Sequence, residues 1–256
     1  MIITNGLKTL KLKQENYANT VGKAVLFLKK GETIVLPTDT IYGLACDALN
    51  EKAVEKLFKI KERDRQKGLP IFVNSIEMAR RLAYIDKKKE GFLRKIWLAP
   101  LEVNRETLLK NNARRQSNSL SDGVDSNDSA GLLTGLGKIT VILQAKDIIP
   151  RLTTGGRDTI ALRMPNHKFV LELITAFGKP ITGTSANISG NEPIRSAKEA
   201  ANQWPRDKSG PGLIIDGGKI ENGEPSTIVD ITNQSPVILR TGIITKKELD
   251  ELLKNN

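Results

Sequence analysis

The sequence predicts an α/β fold with a mostly buried sheet. Segments with apolar residues at helical spacing alternate along the chain with short β-branched runs, the pattern expected when helices cover a sheet. Of the 256 residues, 39% are hydrophobic and 27% are charged, which is typical of a soluble globular protein and excludes wholesale disorder. A chain of this length can bury roughly three quarters of its extended surface.

The first half of the chain alternates between helix and strand twice. Apolar residues at helical spacing predict a helix over 20–30, which ends at Gly31. A β-branched run predicts a strand over 33–36. Helical periodicity returns over 53–58, and 69–73 predicts a second buried strand.

The second half repeats the alternation. We expect strands over 139–143 and 159–162, a helix over 167–177, a strand entering Thr182, a helix over 196–203, and strands over 213–215, 227–231 and 237–239. Thr245 and Glu248 form a capping-box pattern that predicts the start of the last helix.

Between Asn104 and Ser129 the chain is rich in Ser, Asn and Asp and poor in apolar residues. Such a composition cannot repay the entropy of ordering, about 1 to 2 kcal/mol per residue for the backbone alone. We therefore predict one domain over 1–256 with a flexible surface insertion at about 98–137.

The charge is strongly basic and unevenly placed. The formal net charge is +11, and residues 59–115 carry 16 Lys and Arg against 7 Asp and Glu. This balance favours polyanionic partners, either nucleic acid or nucleotide phosphates, although a generally basic solvated surface explains the total charge equally well. No signal peptide or membrane-spanning run is evident, so we expect a cytoplasmic protein without membrane contact.

Cysteine and histidine are too few for a structural metal site or a disulfide framework. Cys46 and His167 are the only residues of their kinds, so we predict no protein-bound metal and a reducing compartment. A Cys46–His167 nucleophile pair is conceivable by count, but a lone cysteine after a strand is more typical of a small buried hydrophobe.

Four features suggest a site for an anionic ligand. The turn over 37–44 places hydroxyls and a carboxylate at the end of a buried strand, where α/β sheets commonly bind ligands, although an ordinary hydroxyl-rich turn is an equal alternative. Arg163, at the end of another strand, could pair with a carboxylate. The segment 183–190 offers hydroxyls and backbone N–H groups.

The fourth feature is the cationic segment over 59–67. If it is extended, alternation places Lys61, Arg63, Arg65 and Lys67 on one side as a cradle for a triphosphate. A solvated charged loop is the more frequent structure for such a segment taken alone.

In order, these segments resemble the YrdC family of threonylcarbamoyl-AMP synthases. The matching pieces are LPTDTIYGLACDA at 36–48, KIKERDRQKGLPIFV at 59–73, DTIALRMPNH at 158–167, ITGTSANISG at 181–190, IIDGG at 214–218, PSTIVDI at 225–231 and VILRTG at 237–242. The resemblance covers about residues 20–250 apart from the insertion.

The resemblance implies a twisted mixed sheet flanked by helices, with a basic concave cavity. It implies formation of threonylcarbamoyl-AMP and pyrophosphate from L-threonine, bicarbonate and ATP, with Mg²⁺ accompanying ATP. A downstream tRNA threonylcarbamoyl transferase complex would pass the group to the tRNA adenosine next to the anticodon. Contact with tRNA or other RNA is a further expectation.

The resemblance also implies residue roles. The family signature is present as Lys61, Arg63, Ser185 and Asn187, which are the expected catalytic residues. Thr40, Arg163, Gly183 and Ser226 are expected to bind threonine, and Arg63, Lys67, Thr159, Ser185 and Arg240 are expected to bind ATP. The reaction requires no protein nucleophile, only proximity and neutralisation of developing charge.

Two positions depart from the family pattern. A Trp-Pro-Gly-Pro-Leu-Thr stretch is split here, with Trp97 before the insertion and Gly137 to Thr140 after it. Gly68 stands where the family usually has Pro, which predicts a looser cradle.

Two other functions remain as alternatives. A non-catalytic RNA-binding module of the same fold would explain the charge but not the converging hydroxyls, and 4% aromatic residues offer little base stacking. A carbamoyl-transfer domain of a hydrogenase-maturation protein would be expected to carry zinc-finger cysteines, which this chain lacks.

Overall fold

A computed structural model describes residues 2–4, 6–98, 137–204, 209–221, 223–233 and 235–254. Nearly all of the predicted insertion at 98–137 lies outside the described residues, so its flexibility stays a prediction. Every predicted helix and strand is present within one to three residues of its expected ends.

Eight α-helices are described, in addition to a short 3-10 helix at Gln14–Asn16. They are α1 (Tyr17–Lys29), α2 (Glu51–Lys61), α3 (Ile76–Leu82), α4 (Lys87–Leu98), α5 (Arg151–Thr154), α6 (Lys168–Phe177), α7 (Ala197–Gln203) and α8 (Lys246–Lys254). The predicted capping box starts α8: Thr245 Oγ1 accepts from the Glu248 N–H at 3.3 Å, and a Glu248 carboxylate oxygen accepts from the Thr245 N–H at 2.8 Å.

In the described residues, twelve strands form two mixed sheets of six, so the predicted mixed sheet is confirmed as a pair of sheets. The first sheet runs in the order β1 (Ile2–Thr4), β2 (Leu7–Lys11), β10 (Leu213–Asp216), β3 (Ile34–Leu36), β4 (Gly43–Ala45) and β9 (Thr184–Ser185). The second runs in the order β12 (Val237–Arg240), β11 (Thr227–Asp230), β6 (Ile139–Gln144), β7 (Thr159–Arg163), β5 (Ile71–Phe72) and β8 (Ile181–Thr182).

The sheets meet where β8 is followed immediately by β9. The chain leaves the second sheet at Thr182, passes through Gly183, and joins the first sheet at Thr184. An antiparallel bridge between Asp47 and Ile181 adds a second link. Groups carried by the two sheets are therefore adjacent at this seam.

Helices cover both faces of the first sheet. On the second sheet, the described helices cover only one face. Helices α1 and α6 pack on one face of the first sheet, and α2 and α7 pack on the other. Helices α3, α4 and α8 pack on the face of the second sheet that carries Val141 and Leu162. The alternate residues of β6, β7 and β11 face the opposite way, and this face forms the floor of the site.

Candidate active site

A cavity of about 390 Å³ lies at the seam between the sheets. Its floor comes from β6, β7 and β11, and its walls come from the turn after β3, the segment before β5 and the β8–β9 connection. Four arginines line it: Arg63, Arg157, Arg163 and Arg240. A cavity with this lining suits an anionic ligand.

Arg163 is fixed by three side-chain hydrogen bonds although it is almost fully buried. Its guanidinium donates to an Asp39 carboxylate oxygen at 2.6 Å, to the Thr40 hydroxyl at 3.0 Å, and to the Gly137 carbonyl at 2.6 Å. The Phe72 ring lies 5.5 Å away, at a cation–π distance. Since arginine has five N–H donors, two remain for a ligand.

Asp39 anchors this arrangement from the turn after β3. Its second carboxylate oxygen accepts from the backbone N–H of Asn166 at 3.1 Å, so both oxygens are engaged. The sequence showed Asp39 in a polar turn but gave no sign that its partner lies 124 residues away in β7.

Two pairs of hydroxyls line the cavity together with Arg163. The hydroxyls of Thr38 and Thr40 lie 3.1 Å apart, and those of Thr140 and Ser226 lie 2.8 Å apart. Arg240 donates to the Ser226 carbonyl at 2.7 Å, and burial together with the nearby Arg163 lowers the pKa of Arg240. These groups can bind a small molecule that carries a carboxylate and polar substituents.

The prediction of an extended cationic cradle is wrong. Lys61 is the last residue of α2, and Glu62 then takes a left-handed conformation (φ 50°), so the side chains do not alternate along an extended segment. Arg65 pairs with Glu55 at the surface, and Lys67 is exposed.

Lys61 lies behind the cavity wall instead of on it. It is only 2% exposed, and its ammonium donates to the Ser185 carbonyl at 2.7 Å and to the carbonyl and side-chain oxygens of Asn187 at 2.9 and 2.7 Å. Burial lowers its pKa to about 7, with a further contribution from Arg63. Lys61 therefore holds the Ser185–Asn187 turn in place.

Arg63 lies on the cavity wall, and its side chain hydrogen-bonds to backbone carbonyls of the loop that follows it. It donates to the Lys67 carbonyl at 2.9 Å and to the Gly68 carbonyl at 3.0 Å. Burial lowers its pKa. The loop over 63–68 therefore presents one fixed arginine to the cavity.

Two glycines allow close approach at the site. A Cβ on Gly68 would lie 2.6 Å from the Thr154 carbonyl oxygen, and a Cβ on Gly183 would lie 2.2 Å from the Phe72 ring. Leu69 also donates to the Thr153 carbonyl at 2.8 Å. The expectation that Gly68 loosens the cradle is therefore wrong, because Gly68 permits tight contact between two loops.

The structure brings seven of the expected site residues to the cavity lining: Thr40, Arg63, Arg163, Gly183, Ser185, Ser226 and Arg240. Lys61 and Asn187 contact Ser185 from behind. Lys67 and Thr159 are not among the lining residues, although Thr159 begins β7.

Sequence reasoning missed Arg157 and assigned no role to Thr140, both of which line the cavity. Thr140 is the last residue of the split family motif, whose two halves the structure joins: the Trp97 indole donates to the Ile139 carbonyl at 3.3 Å. For Arg157, the sequence gives no indication of a role at the site beyond its position between two glycines and a predicted strand.

Cys46 has the character of a buried hydrophobe, as expected. It is fully buried in the core between the first sheet and α2, and burial raises its pKa to about 12. The thiolate that nucleophilic chemistry requires is therefore disfavoured.

No group of three or more His, Cys, Asp or Glu residues that could hold a metal ion occurs in the described part of the chain. Within the same residues, no helix is both long enough and apolar enough to cross a membrane.

Comparison with known proteins gives a family match over most of the chain. The family model Sua5_yciO_yrdC, described as "Telomere recombination", matches residues 26–131 and 116–242. The threonylcarbamoyl-AMP synthase of Pseudoalteromonas translucida is 33% identical over 84% of this chain and 95% of its own length. That of Pyrococcus abyssi is 31% identical over 89% of this chain, and the match spans only 55% of the longer relative.

The fold is also similar to that of a solved structure. The crystal structure of P. abyssi Sua5 complexed with L-threonine superimposes with a TM-score of 0.74 at 30% identity, covering 97% of this chain and 61% of that one.

Proposed function

The chain belongs to the Sua5, YciO and YrdC family, and we propose that it is an L-threonylcarbamoyladenylate synthase. As a nucleotidyltransferase, it would form threonylcarbamoyl-AMP and pyrophosphate from L-threonine, bicarbonate and ATP. The observation that carries the proposal is a cavity that joins a hydroxyl-lined arginine, Arg163, to a second group of cations and hydroxyls at Arg63, Ser185 and Arg240.

Threonine would bind at the Arg163 end. Its carboxylate would accept the two N–H groups of Arg163 that the protein leaves available, in the charge-assisted geometry that arginine favours. The hydroxyls of Thr40 and Ser226 and the close wall at Gly183 would position the side chain and the amine.

ATP would bind toward Arg63, Ser185 and Arg240. Arg63 and Arg240 are held by backbone carbonyls, so they are already oriented before ligand binds. Lys61 and Asn187 would act by holding Ser185, and Lys67 and Thr159 would contribute at the edge of the nucleotide site.

The reaction would proceed through a carbamate. The threonine amine joins bicarbonate with loss of water, and a carbamate oxygen attacks the α-phosphorus of ATP as pyrophosphate leaves. Holding both substrates in one cavity supplies proximity, and the arginines neutralise charge on the leaving group.

Mg²⁺ fits this site as a companion of ATP. The carboxylate of Asp39, next to the lining residue Thr40, is committed to Arg163 and Asn166, and the described residues offer no group of three or more His, Cys, Asp or Glu that could hold a metal ion. Because Mg²⁺ favours phosphate oxygens and water as ligands, it would be held mainly by ATP. When bound, it would neutralise phosphate charge.

The product would be consumed by a tRNA threonylcarbamoyl transferase complex, which modifies the tRNA adenosine next to the anticodon. Direct contact of this chain with RNA stays a prediction. A binding module alone gives no reason for Arg163, which lines the cavity, to be held by both Asp39 and Thr40.

The test supplies purified protein with ATP, Mg²⁺, L-threonine and bicarbonate and measures pyrophosphate and the adenylate product. We expect release to require both threonine and bicarbonate, and Arg163→Ala to lose it while retaining its circular dichroism spectrum. Release that is indifferent to either substrate would contradict the proposal. Steeply salt-dependent RNA binding without pyrophosphate release would favour the RNA-binding alternative.

A further inference from the structure

The four arginines of the cavity differ in the hydrogen bonds and ion pairs that their side chains make with the protein. Arg63 and Arg240 donate to backbone carbonyls, and Arg163 is paired with Asp39. Among the described residues, only Arg157 of these four makes no side-chain hydrogen bond or ion pair, and its side chain is exposed. A guanidinium without protein partners keeps all five donors for a ligand.

Arg157 lies next to the loop that carries Arg63. It follows α5 in the segment 155–158, and this segment packs against the loop over 63–68. A Cβ on Gly155 would lie 2.6 Å from the Gln66 carbonyl oxygen and 2.6 Å from the Gly68 nitrogen. The two arginines therefore reach the cavity from neighbouring loops.

Arg157 also lies at the boundary of a second cavity of about 420 Å³, which it lines together with Gln144, Lys146 and Arg151. The floor continues from one cavity to the other along β6, since Thr140 and Ile142 line the first and Gln144 lines the second. Gln144 pairs with Thr159 in β7, two residues after Arg157.

The backbones of Arg157 and Arg163 are separated by the full length of β7. The strand from Thr159 to Arg163 spans about 13 Å at roughly 3.3 Å per residue, and Arg157 precedes it. With threonine at Arg163, the anion at the other end must be a different group, and Arg63 beside Arg157 gives the two cations that a multiply charged phosphate group requires.

We propose that Arg157 binds a diphosphate group, either the β- and γ-phosphates of ATP or the pyrophosphate released from them. The assignment to ATP rests on the proposed function, whereas the binding of a diphosphate does not. The second cavity gives this group contact with solvent on the side away from threonine.

The experiment measures binding of ATP, inorganic pyrophosphate and AMP to the full chain by calorimetry. Arg157→Gln should weaken pyrophosphate and ATP binding by about tenfold or more, the loss expected for one charge-assisted contact, and change AMP binding less than about twofold. Arg157→Lys should fall between, because it keeps the charge and loses the planar fork. Arg81→Gln is the matched control, since Arg81 is an exposed arginine of α3 that lines neither cavity.

The outcomes separate this inference from the proposed function. Equal binding of both ATP and pyrophosphate by wild type and Arg157→Gln, or a loss of AMP binding as large as the loss of ATP binding, would overturn the assignment. An effect on ATP but not on pyrophosphate would place the ATP tail at Arg157 and exclude the free product. Turnover is measured separately, so a chain that binds pyrophosphate through Arg157 but makes no adenylate would reject only the synthase.

Discussion

Lys61 is a buried cation whose described partners are neutral oxygens. Its ammonium donates to the Ser185 and Asn187 oxygens, and no carboxylate contacts it in the described part of the chain. Burial of an uncompensated charge is costly, which is the main reason that its pKa falls to about 7.

This pKa predicts a pH-dependent stability. Between pH 7 and about 10.4 the unfolded chain holds a proton on Lys61 that the folded chain has lost, so the free energy of unfolding should rise with pH by up to about 1.4 kcal/mol per pH unit from this group. Urea unfolding of wild type and Lys61→Met at pH 7, 8 and 9 measures it. Parallel pH profiles for the two proteins would contradict the prediction.

Removing one partner of the Asp39–Arg163 pair should lower the free energy of unfolding substantially. Asp39→Ala leaves Arg163 buried without its counter-charge, so we expect a loss of about 3 to 5 kcal/mol in the free energy of unfolding. Asp39→Asn, which keeps an acceptor oxygen, should lose less. Glu15→Gln, which breaks the exposed Lys13–Glu15 pair, is the control and should cost under about 1 kcal/mol. A similar small cost for Asp39→Ala would show that the pair is not coupled.

At the scale of single residues, the sequence predicted which residues lie at the site better than it predicted which other residues they contact. Thr40, Arg163 and Ser185 were recognisable because each follows or ends a strand within a polar segment. The pairing of Arg163 with Asp39 depends on how two distant strands meet, which no local pattern encodes. The helical position of Lys61 was missed because the run of charged residues hid the end of α2.

At the scale of elements, the loop over 63–68 and the loop after α5 act as one unit because Gly68 lets them touch. Gly68→Ala should place a Cβ against the Thr154 carbonyl, part the loops, and cost about 1 to 3 kcal/mol of stability. ATP binding should weaken because Arg63 belongs to the displaced loop. Unfolding and ATP titrations measure both effects.

Gly91→Ala is the matched control for that substitution. Gly91 lies within α4, and nothing approaches an added Cβ there within 4 Å. Alanine should therefore stabilise the helix by about 0.5 to 1 kcal/mol. Gly68→Ala that behaves like Gly91→Ala would contradict close contact between the loops.

The elements themselves were largely predictable, since amphipathic periodicity and β-branched runs are local properties. Several elements were missed, among them β1, β2 and α3. Two of the missed elements have a local reason: α4 begins with three lysines, which mask its buried face, and β4 has only three residues in a segment that resembles a turn. Division into two sheets was not predictable, because it depends on the passage through Gly183 and on strands far apart in the sequence.

The whole molecule shows why net charge was an incomplete guide. Residues 59–115 hold most of the cationic surplus, yet among the cations of that stretch that the structure describes, those at 59–98, only Arg63 lines the cavity. The other three cavity arginines lie beyond residue 150, in or just before strands of the second sheet and its edge. The fold, and not the local density of charge, gathers the anion-binding groups.

Because the cavity is built from both sheets, a ligand that fills it should stabilise the molecule as a unit. L-threonine at 100 times its dissociation constant should raise the free energy of unfolding by about 2.7 kcal/mol. Threoninamide, which lacks the carboxylate that Arg163 would bind, is the matched ligand control and should stabilise much less at the same concentration. Amide hydrogen exchange should show protection in β4 and β9 of the first sheet as well as in β6 and β7 of the second. Protection confined to one sheet, or equal stabilisation by threoninamide, would mean that threonine does not bridge the seam through Arg163.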